Sequence, residues 1–276
     1  MRVLVTGAAG MLGRDLLAHL VARGDDPVGV DMEVDIRDPA AVAACLDRVR
    51  PQAVIHCAAW TDVDGAEGAE DAALAVNGTG AGNVAAAAAR HGVPLVQVST
   101  DYVFDGTAAG DYAEDAPTAP IGAYGRTKLA GELAVLAAHP GGARIARTAW
   151  LYGANGRNFV DTMRRVGAER DEVTVVDDQL GCPTWTRDLA PALRDLLELP
   201  PGIYHTAGAG SVTWAGFAQE IFRRSGIACR VLPITTQELG RPAPRPARSV
   251  LAVTRPDAPR LRDWREALAD YIAEAT

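Results

Sequence analysis

Several features are missing from this chain, and each absence removes a class of function. No apolar stretch approaches the ~18 residues of a membrane-spanning helix, so no membrane role is expected. The opening MRVLVTGAAG lacks the long apolar core of a secretion signal and reads as a first strand. Four cysteines, Cys45, Cys57, Cys182 and Cys229, show no C-x-x-C spacing. A disulfide framework or zinc site is therefore not expected, and reduced thiols in the cytoplasm are. The five histidines (His19, His56, His91, His139, His205) have no metal-ligand spacing, so no metal is expected. His56, inside an apolar strand, reads as a packed core residue. No G-x-S-x-G elbow offers a nucleophile triad. Positive charge is in deficit: a net charge of −8 argues against non-specific nucleic-acid binding. No internal repeat is visible.

What is present is a soluble globular composition, 48% hydrophobic and 22% charged over 276 residues. That length suits one large domain, or a main domain with a smaller lobe. RVLVT is a β-branched run, followed by Gly7-Ala-Ala-Gly10-Met11-Leu12-Gly13 and a helical pattern. Glycines between a first strand and a first helix permit a tight turn and let the backbone approach a diphosphate. The spacing is G-x-x-G-x-x-G, so the turn alone is compatible with ordinary helix packing; its position favours a dinucleotide. The second strand ends at Asp31, where a carboxylate accepts ribose hydroxyls and repels a 2′-phosphate. Asp35 and Ile36 open a segment able to flank an adenine, while Asp38 before Pro39 reads as a helix N-cap.

A helix over about Pro39–Val49 leads to AVIHCAAW, whose small residues Ala58 and Ala59 would let a cofactor lie against the backbone. The next helix carries Asn77-Gly78, unfavourable in a plain helix, which predicts a kink or a polar contact. VPLVQVSTDYVF then ends a strand at Ser99-Thr100-Asp101, on the edge that overlies the ligand crevice in a parallel sheet. The repeating strand–helix–strand order predicts an α/β fold with a Rossmann-type doubly wound sheet. Residues 1–150 form the dinucleotide-binding part, and 151–276 a mainly substrate-binding lobe interleaved with it. Trp150, just past a strand, is a candidate for stacking on a ligand. The run Arg241–Arg248, with three prolines and three arginines, is extended; it is either a surface linker or a clamp in which Arg245 grips a diphosphate.

The chemistry centres on Tyr124-Gly-Arg-Thr-Lys128. On a helix, residues four apart share a face, so Tyr124 and Lys128 can act on one molecule. A phenol titrates near 10, and a neighbouring ammonium favours the phenolate. A tyrosine tuned in this way protonates a carbonyl oxygen as hydride reaches its carbon. The Y-x-x-x-K pair alone is a weak signal, since surface helices produce it by chance.

The ordered set TGAAGMLG, AAWTDVD, STDYVF, YGRTKLAGE, RTAWLYG, NF followed by TM, DDQLGCPT and RPARSVL resembles the extended short-chain dehydrogenase/reductase superfamily. Within it the set is most similar to the dTDP-4-dehydrorhamnose reductase branch. The resemblance runs from Met1 to about Leu251. It implies reduction of a dTDP-4-keto-6-deoxyhexose by NADPH or NADH, with Thr100, Tyr124 and Lys128 as the catalytic trio. It also implies that Lys128 holds the nicotinamide ribose and lowers the Tyr124 pKa. Gly7, Gly10, Met11, Leu12, Gly13, Asp31, Asp35, Ile36, Ala58, Ala59, Thr61 and Asn77 would line the cofactor site. Asp101, Trp150, Asn158 and Arg245 would join Thr100 on the sugar nucleotide.

Two departures from the pattern matter. Some relatives dimerise through magnesium held by acidic side chains; here Asp15 is acidic, but TWTRDLA carries Arg187 and one acid, so a monomer or an unbridged homodimer is expected. Trp60 replaces a histidine before Thr61. The competing readings are a related antibiotic-sugar ketoreductase and a non-catalytic dinucleotide-binding subunit. The complete Thr100–Tyr124–Lys128 set favours catalysis, since a regulatory subunit has no use for all three.

Overall fold

Alternation along the first strand divides the core into two layers. In β1 (Arg2–Thr6), Val3 and Val5 enter one apolar cluster and Leu4 the other, the period of two that a strand imposes. A computed structural model describes residues 1–274 and shows a sheet built outward from β1. β2 (Asp26–Val30) pairs on one side of β1. On the other side lie β3 (Ala53–His56), β4 (Leu95–Thr100), β5 (Ala143–Thr148) and the strand Gly202–His205. All five pairings are parallel. Their carboxyl ends therefore share one edge, and the order reverses between β2 and β3, which opens a crevice above β1.

Helices cover both faces. α1 (Met11–Ala22) and the helix Thr186–Leu196 bury Leu12, Leu16, Leu20, Leu189, Leu193 and Leu196 against one face. α2 (Pro39–Val49) and the helices Ala81–His91 and Ala123–Ala138 cover the other with Val42, Leu46, Val84 and Val135. Asp38 caps α2, accepting from Ala40 N at 2.8 Å. The segment around Asn77 is a π-helical turn over Ala75–Gly80, the distortion expected of an Asn-Gly step inside a helix.

The second half has its own aromatic core, in which Tyr152, Trp185, Phe217, Phe222, Trp264 and Tyr271 pack together. It is not cleanly separable at residue 150: the strand Gly202–His205 extends the main sheet, and the helix Thr186–Leu196 shares a core with α1. Among the described residues no helix is long and apolar enough to cross a membrane.

One partly buried ion pair ties these parts together. Arg194 Nε lies 2.6 Å from Asp25, whose carboxylate also receives the N-terminal ammonium at 2.7 Å. The Arg194 hydrogen bond holds the Asp25 pKa down at about 2, below its ordinary 3.8. A depressed carboxylate stabilises the fold above its unfolded pKa and loses that contribution as pH falls through the folded one. Arg194→Met is expected to lower stability at pH 7 by roughly 2–4 kcal/mol in denaturant unfolding. The difference between variant and wild type should shrink between about pH 4 and pH 2; an unchanged difference would remove the pair from this role.

Candidate active site

The carboxyl edge of the sheet opens into a cavity of about 1160 Å³ that reaches from the Gly7–Gly13 loop past Lys128 to Trp150 and Trp214. That volume exceeds what a single drug-sized ligand needs and suits two extended ones. The loop end is built by close backbone approach. Gly7 has φ +68°, and a Cβ there would sit 2.6 Å from Ala58 N. Only glycine therefore lets β1 turn under the end of β3. No side chain caps α1 and no acid lies in its first turn, so its leading amides face the cavity beside Gly10, Met11, Leu12 and Gly13. Below the loop, Thr6 Oγ1 and His56 Nδ1 are 2.5 Å apart. Burial drives the His56 pKa down to about 3, which keeps the ring neutral.

Asp31, Asp35, Ile36, Ala58, Ala59 and Thr61 all line the same cavity. Asp31 Oδ2 accepts from Ala9 N at 2.8 Å, which fixes the carboxylate at the loop. Asp35 forms a fork with Arg37, with contacts of 2.9 and 2.7 Å, and that pairing depresses its pKa to about 2. Met32, 91% exposed, stands on the rim. Uncapped helix amides, a glycine turn and a carboxylate at the end of β2 fit the diphosphate and ribose of a dinucleotide.

Thr100, Asp101, Tyr124 and Lys128 meet at the centre of the cavity. Gly125 makes this possible: a Cβ there would lie 2.2 Å from the Tyr102 carbonyl, so the helix start packs directly on the chain after β4. Lys128 is 4% exposed and donates to the Val98 carbonyl at 2.8 Å. Burial lowers its pKa to about 8, opposed by the Glu132 carboxylate. The expectation that Lys128 lowers the Tyr124 pKa does not hold in the ligand-free chain. Burial, and next the Asp101 charge, push the phenol up to about 12, and the hydrogen bond with Thr100 pulls the other way only in part. Lys128 is not among the groups acting on it.

Three expected ligand contacts have other structural partners. Asn77 is off the cavity wall: its Oδ1 accepts from Trp60 N at 2.8 Å, and its Nδ2 donates to the Trp60 carbonyl and Thr127 Oγ1 at 3.2 and 3.1 Å. It positions the Trp60 segment, which does line the cavity. Asn158 caps the helix Phe159–Glu169 through Asp161 N and donates to Gly153, Gly156, Asp161 and Tyr271, which leaves its amide committed. Arg245 binds Asp64 at 3.0 Å and the Ala243 carbonyl at 2.9 Å, behind the cavity wall.

Trp150 is on the wall, at φ +48°, and its indole stacks on Trp214 with ring centroids 3.5 Å apart. The sequence reading passed over Trp214; its place at the first position of a helix, behind the N-cap Thr213, was the available signal. Arg157 was also missed: an exposed cavity cation with no ion pair among the described residues, in a stretch without a legible period.

Comparison with known proteins agrees with this geometry. The family model described as RmlD substrate binding domain matches residues 1–276. A dTDP-4-dehydrorhamnose reductase of Streptomyces griseus is 48% identical, covering 98% of this chain and 92% of that protein. A dTDP-4-keto-6-deoxy-D-glucose reductase of Streptomyces niveus is 47% identical, covering 96% and 91%. The crystal structure of a dTDP-4-dehydrorhamnose reductase from Bacillus anthracis in complex with NADP superposes with a TM-score of 0.95 at 40% identity, covering 99% of each chain.

The position of Tyr124 generates a spectroscopic prediction. Comparing wild type with Tyr124→Phe in the absence of ligand, no phenolate absorbance difference is expected up to about pH 10, where an ordinary tyrosine is half ionised. A difference signal titrating below about pH 9 would restore Lys128 as the governing charge. Matched by the family model over residues 1–276 and by reductases at 40–48% identity over nearly its whole length, the chain belongs to the RmlD family, in its dTDP-4-dehydrorhamnose reductase branch.

Proposed function

We propose that this protein reduces the C4 ketone of dTDP-4-dehydro-L-rhamnose to give dTDP-L-rhamnose, using NADPH or NADH. The observation that carries the reading is the convergence of Thr100, Tyr124 and Lys128 with the Gly7–Gly13 loop in one cavity. The dinucleotide, when bound, supplies the hydride for the sugar carbonyl carbon. Tyr124, held protonated by burial, gives its phenolic proton to the carbonyl oxygen. Lys128, charged below about pH 8, compensates the phenolate left behind. Thr100 offers its hydroxyl to the same carbonyl oxygen. Arg157 supplies positive charge on the wall for a diphosphate.

The Trp150–Trp214 stack forms an apolar face at the far end, suited to a deoxysugar with its methyl group. Four free cysteines, three of them buried, suit a reducing compartment, and we assign the reaction to the cytoplasm. A second reading has specific support. The 47% identity to a dTDP-4-keto-6-deoxy-D-glucose reductase nearly equals that to the dehydrorhamnose reductase, so a sibling 4-keto sugar is the alternative substrate.

Turnover assays with both ketosugars, each with NADH and NADPH, test the assignment. Preferred oxidation of reduced nicotinamide by dTDP-4-dehydro-L-rhamnose is expected. Preference for the other sugar would move the protein to the sibling activity, and no turnover with either would sink the reductase reading. Tyr124→Phe should lose ~10²–10⁴-fold in turnover while dinucleotide affinity changes little.

A further inference from the structure

Asp101 directly follows Thr100 and is only 2% exposed, yet no ion pair among the described residues involves it. Its partners are two hydroxyls. Thr100 Oγ1 donates to Oδ1 at 3.0 Å, and the buried Ser249 donates to Oδ2. The groups facing it are neutral at pH 7: the Tyr124 phenol from the helix Ala123–Ala138, the adjoining Tyr102 phenol and the buried Cys182 thiol. The nearby cations are committed elsewhere, Arg245 to Asp64 and Arg248 to Asp111. Desolvation raises the Asp101 carboxyl to about 6, and the Ser249 and Thr100 hydroxyls together with the backbone amides of Asp101 and Tyr102 offset this only partly.

A carboxylate can only accept hydrogen bonds, whereas a carboxylic acid has one proton to give. With Asp101 ionised, the single proton of the Thr100 hydroxyl points at Asp101 while Tyr102 N donates to Thr100 Oγ1 at 3.2 Å, so Thr100 has no proton left for Tyr124 or a ketone. With Asp101 protonated, its O–H donates to Thr100 Oγ1, and the Thr100 proton is released toward the ketone oxygen. Apart from the proton that Asp101 takes up from solvent, no covalent bond changes; the Asp101–Thr100 hydrogen bond reverses direction, and one from Thr100 to the ketone oxygen becomes available. We propose that Asp101 is a positioning residue whose protonation state sets the direction of the Thr100 hydroxyl and so makes reduction depend on pH. This rests on the reductase reading given above.

The required form is the protonated one, so activity falls as pH rises through the Asp101 titration. In the wild type kcat/KM is expected to decline above about pH 6, approaching tenfold per pH unit, separately from any change near 8 due to Lys128. In D101N an amide can donate to Thr100 at every pH, so the decline should vanish from whatever turnover the variant keeps. In S249A the carboxylate loses a donor, and the decline should move to higher pH. A readout without substrate is the infrared carbonyl band of a protonated carboxyl, taken as wild type minus D101N. It should disappear as pH rises through the same range.

A D101N profile that superimposes on the wild type overturns the proposal. So does folded D101N that binds dinucleotide but has lost turnover at every pH. Should D101N fail to fold, an S249A decline that stays in place, or moves down, overturns it equally. Absent wild-type turnover counts against the reductase reading alone, and the infrared band still decides the ionisation of Asp101.

Discussion

A buried ion pair beneath the cavity holds the helix that carries Tyr124 and Lys128 in register with the sheet. Glu132 lies one helical turn beyond Lys128 and is 2% exposed. Arg147 of β5 meets it with two contacts, Nε to Oε1 at 2.9 Å and the neighbouring amine to Oε2 at 2.7 Å. Ser99 of β4 adds a third hydrogen bond to Glu132 at 2.6 Å, and Arg147 rests over the Phe104 ring. The fork fixes both distance and rotation of the helix relative to two strands. The positions of Lys128 and Tyr124 follow from that registry. Such a pair gives little net stability compared with an apolar substitute, since its desolvation is expensive. What it does supply here is geometry: Ser99 and Thr100 are consecutive, so the strand end that presents Thr100 is pinned to the helix that presents Tyr124.

This registry buries Lys128 and partly buries Tyr124, and desolvation then dominates the ionisation of both. Tyr124 is driven up and Lys128 down, so the ligand-free site holds a firmly protonated acid beside a weakened cation. The sequence-level idea that the lysine alone tunes the tyrosine treats the two as a pair in water. In the folded chain the Lys128 amine points at the Val98 carbonyl, and the nearest charge acting on the phenol is the Asp101 carboxylate. Desolvation outweighs Coulomb attraction unless the opposite charge is in direct contact. This ordering suits the proton-donor role proposed for Tyr124, which needs the phenol to keep its proton.

Much of this was legible in the sequence where a local rule governs. Period-two strands, the glycine turn, the Asp38 cap and the Asn-Gly distortion follow from propensities that act within a few residues. The fold class followed from their order. What the sequence could not reveal is how polar side chains divide between ligand and protein. Asn77, Asn158 and Arg245 are of the types that bind ligands, yet each is committed to partners contributed by other parts of the fold. Asn77 clamps Trp60, seventeen positions back. Arg245 reaches Asp64 from the far end of the chain. The pairing of Trp214 with Trp150 was hidden for the same reason, since only the fold brings the two rings together. Membership in the reductase branch was readable because an ordered set of motifs survives in one dimension; side-chain allegiance does not.

The proline-rich segment shows how far that allegiance reaches. Its extended form follows from its three prolines, but its work is done by what it passes. Ala243 N and Arg245 bind Asp64, Arg248 pairs with Asp111, Ser249 binds Asp101, and the backbone of Tyr112 exchanges hydrogen bonds with Val250 and Ala252. Thr254 then caps the buried Glu114. A linker would leave these groups in water. This segment instead threads behind the cavity and completes the hydrogen bonding of a carboxylate that touches Thr100. The second half of the chain thus supports the Thr100–Asp101 end of β4 through Ser249. A shift of this segment would reach Asp101 directly, because Ser249 is one of two side chains bonded to that carboxylate among the described residues.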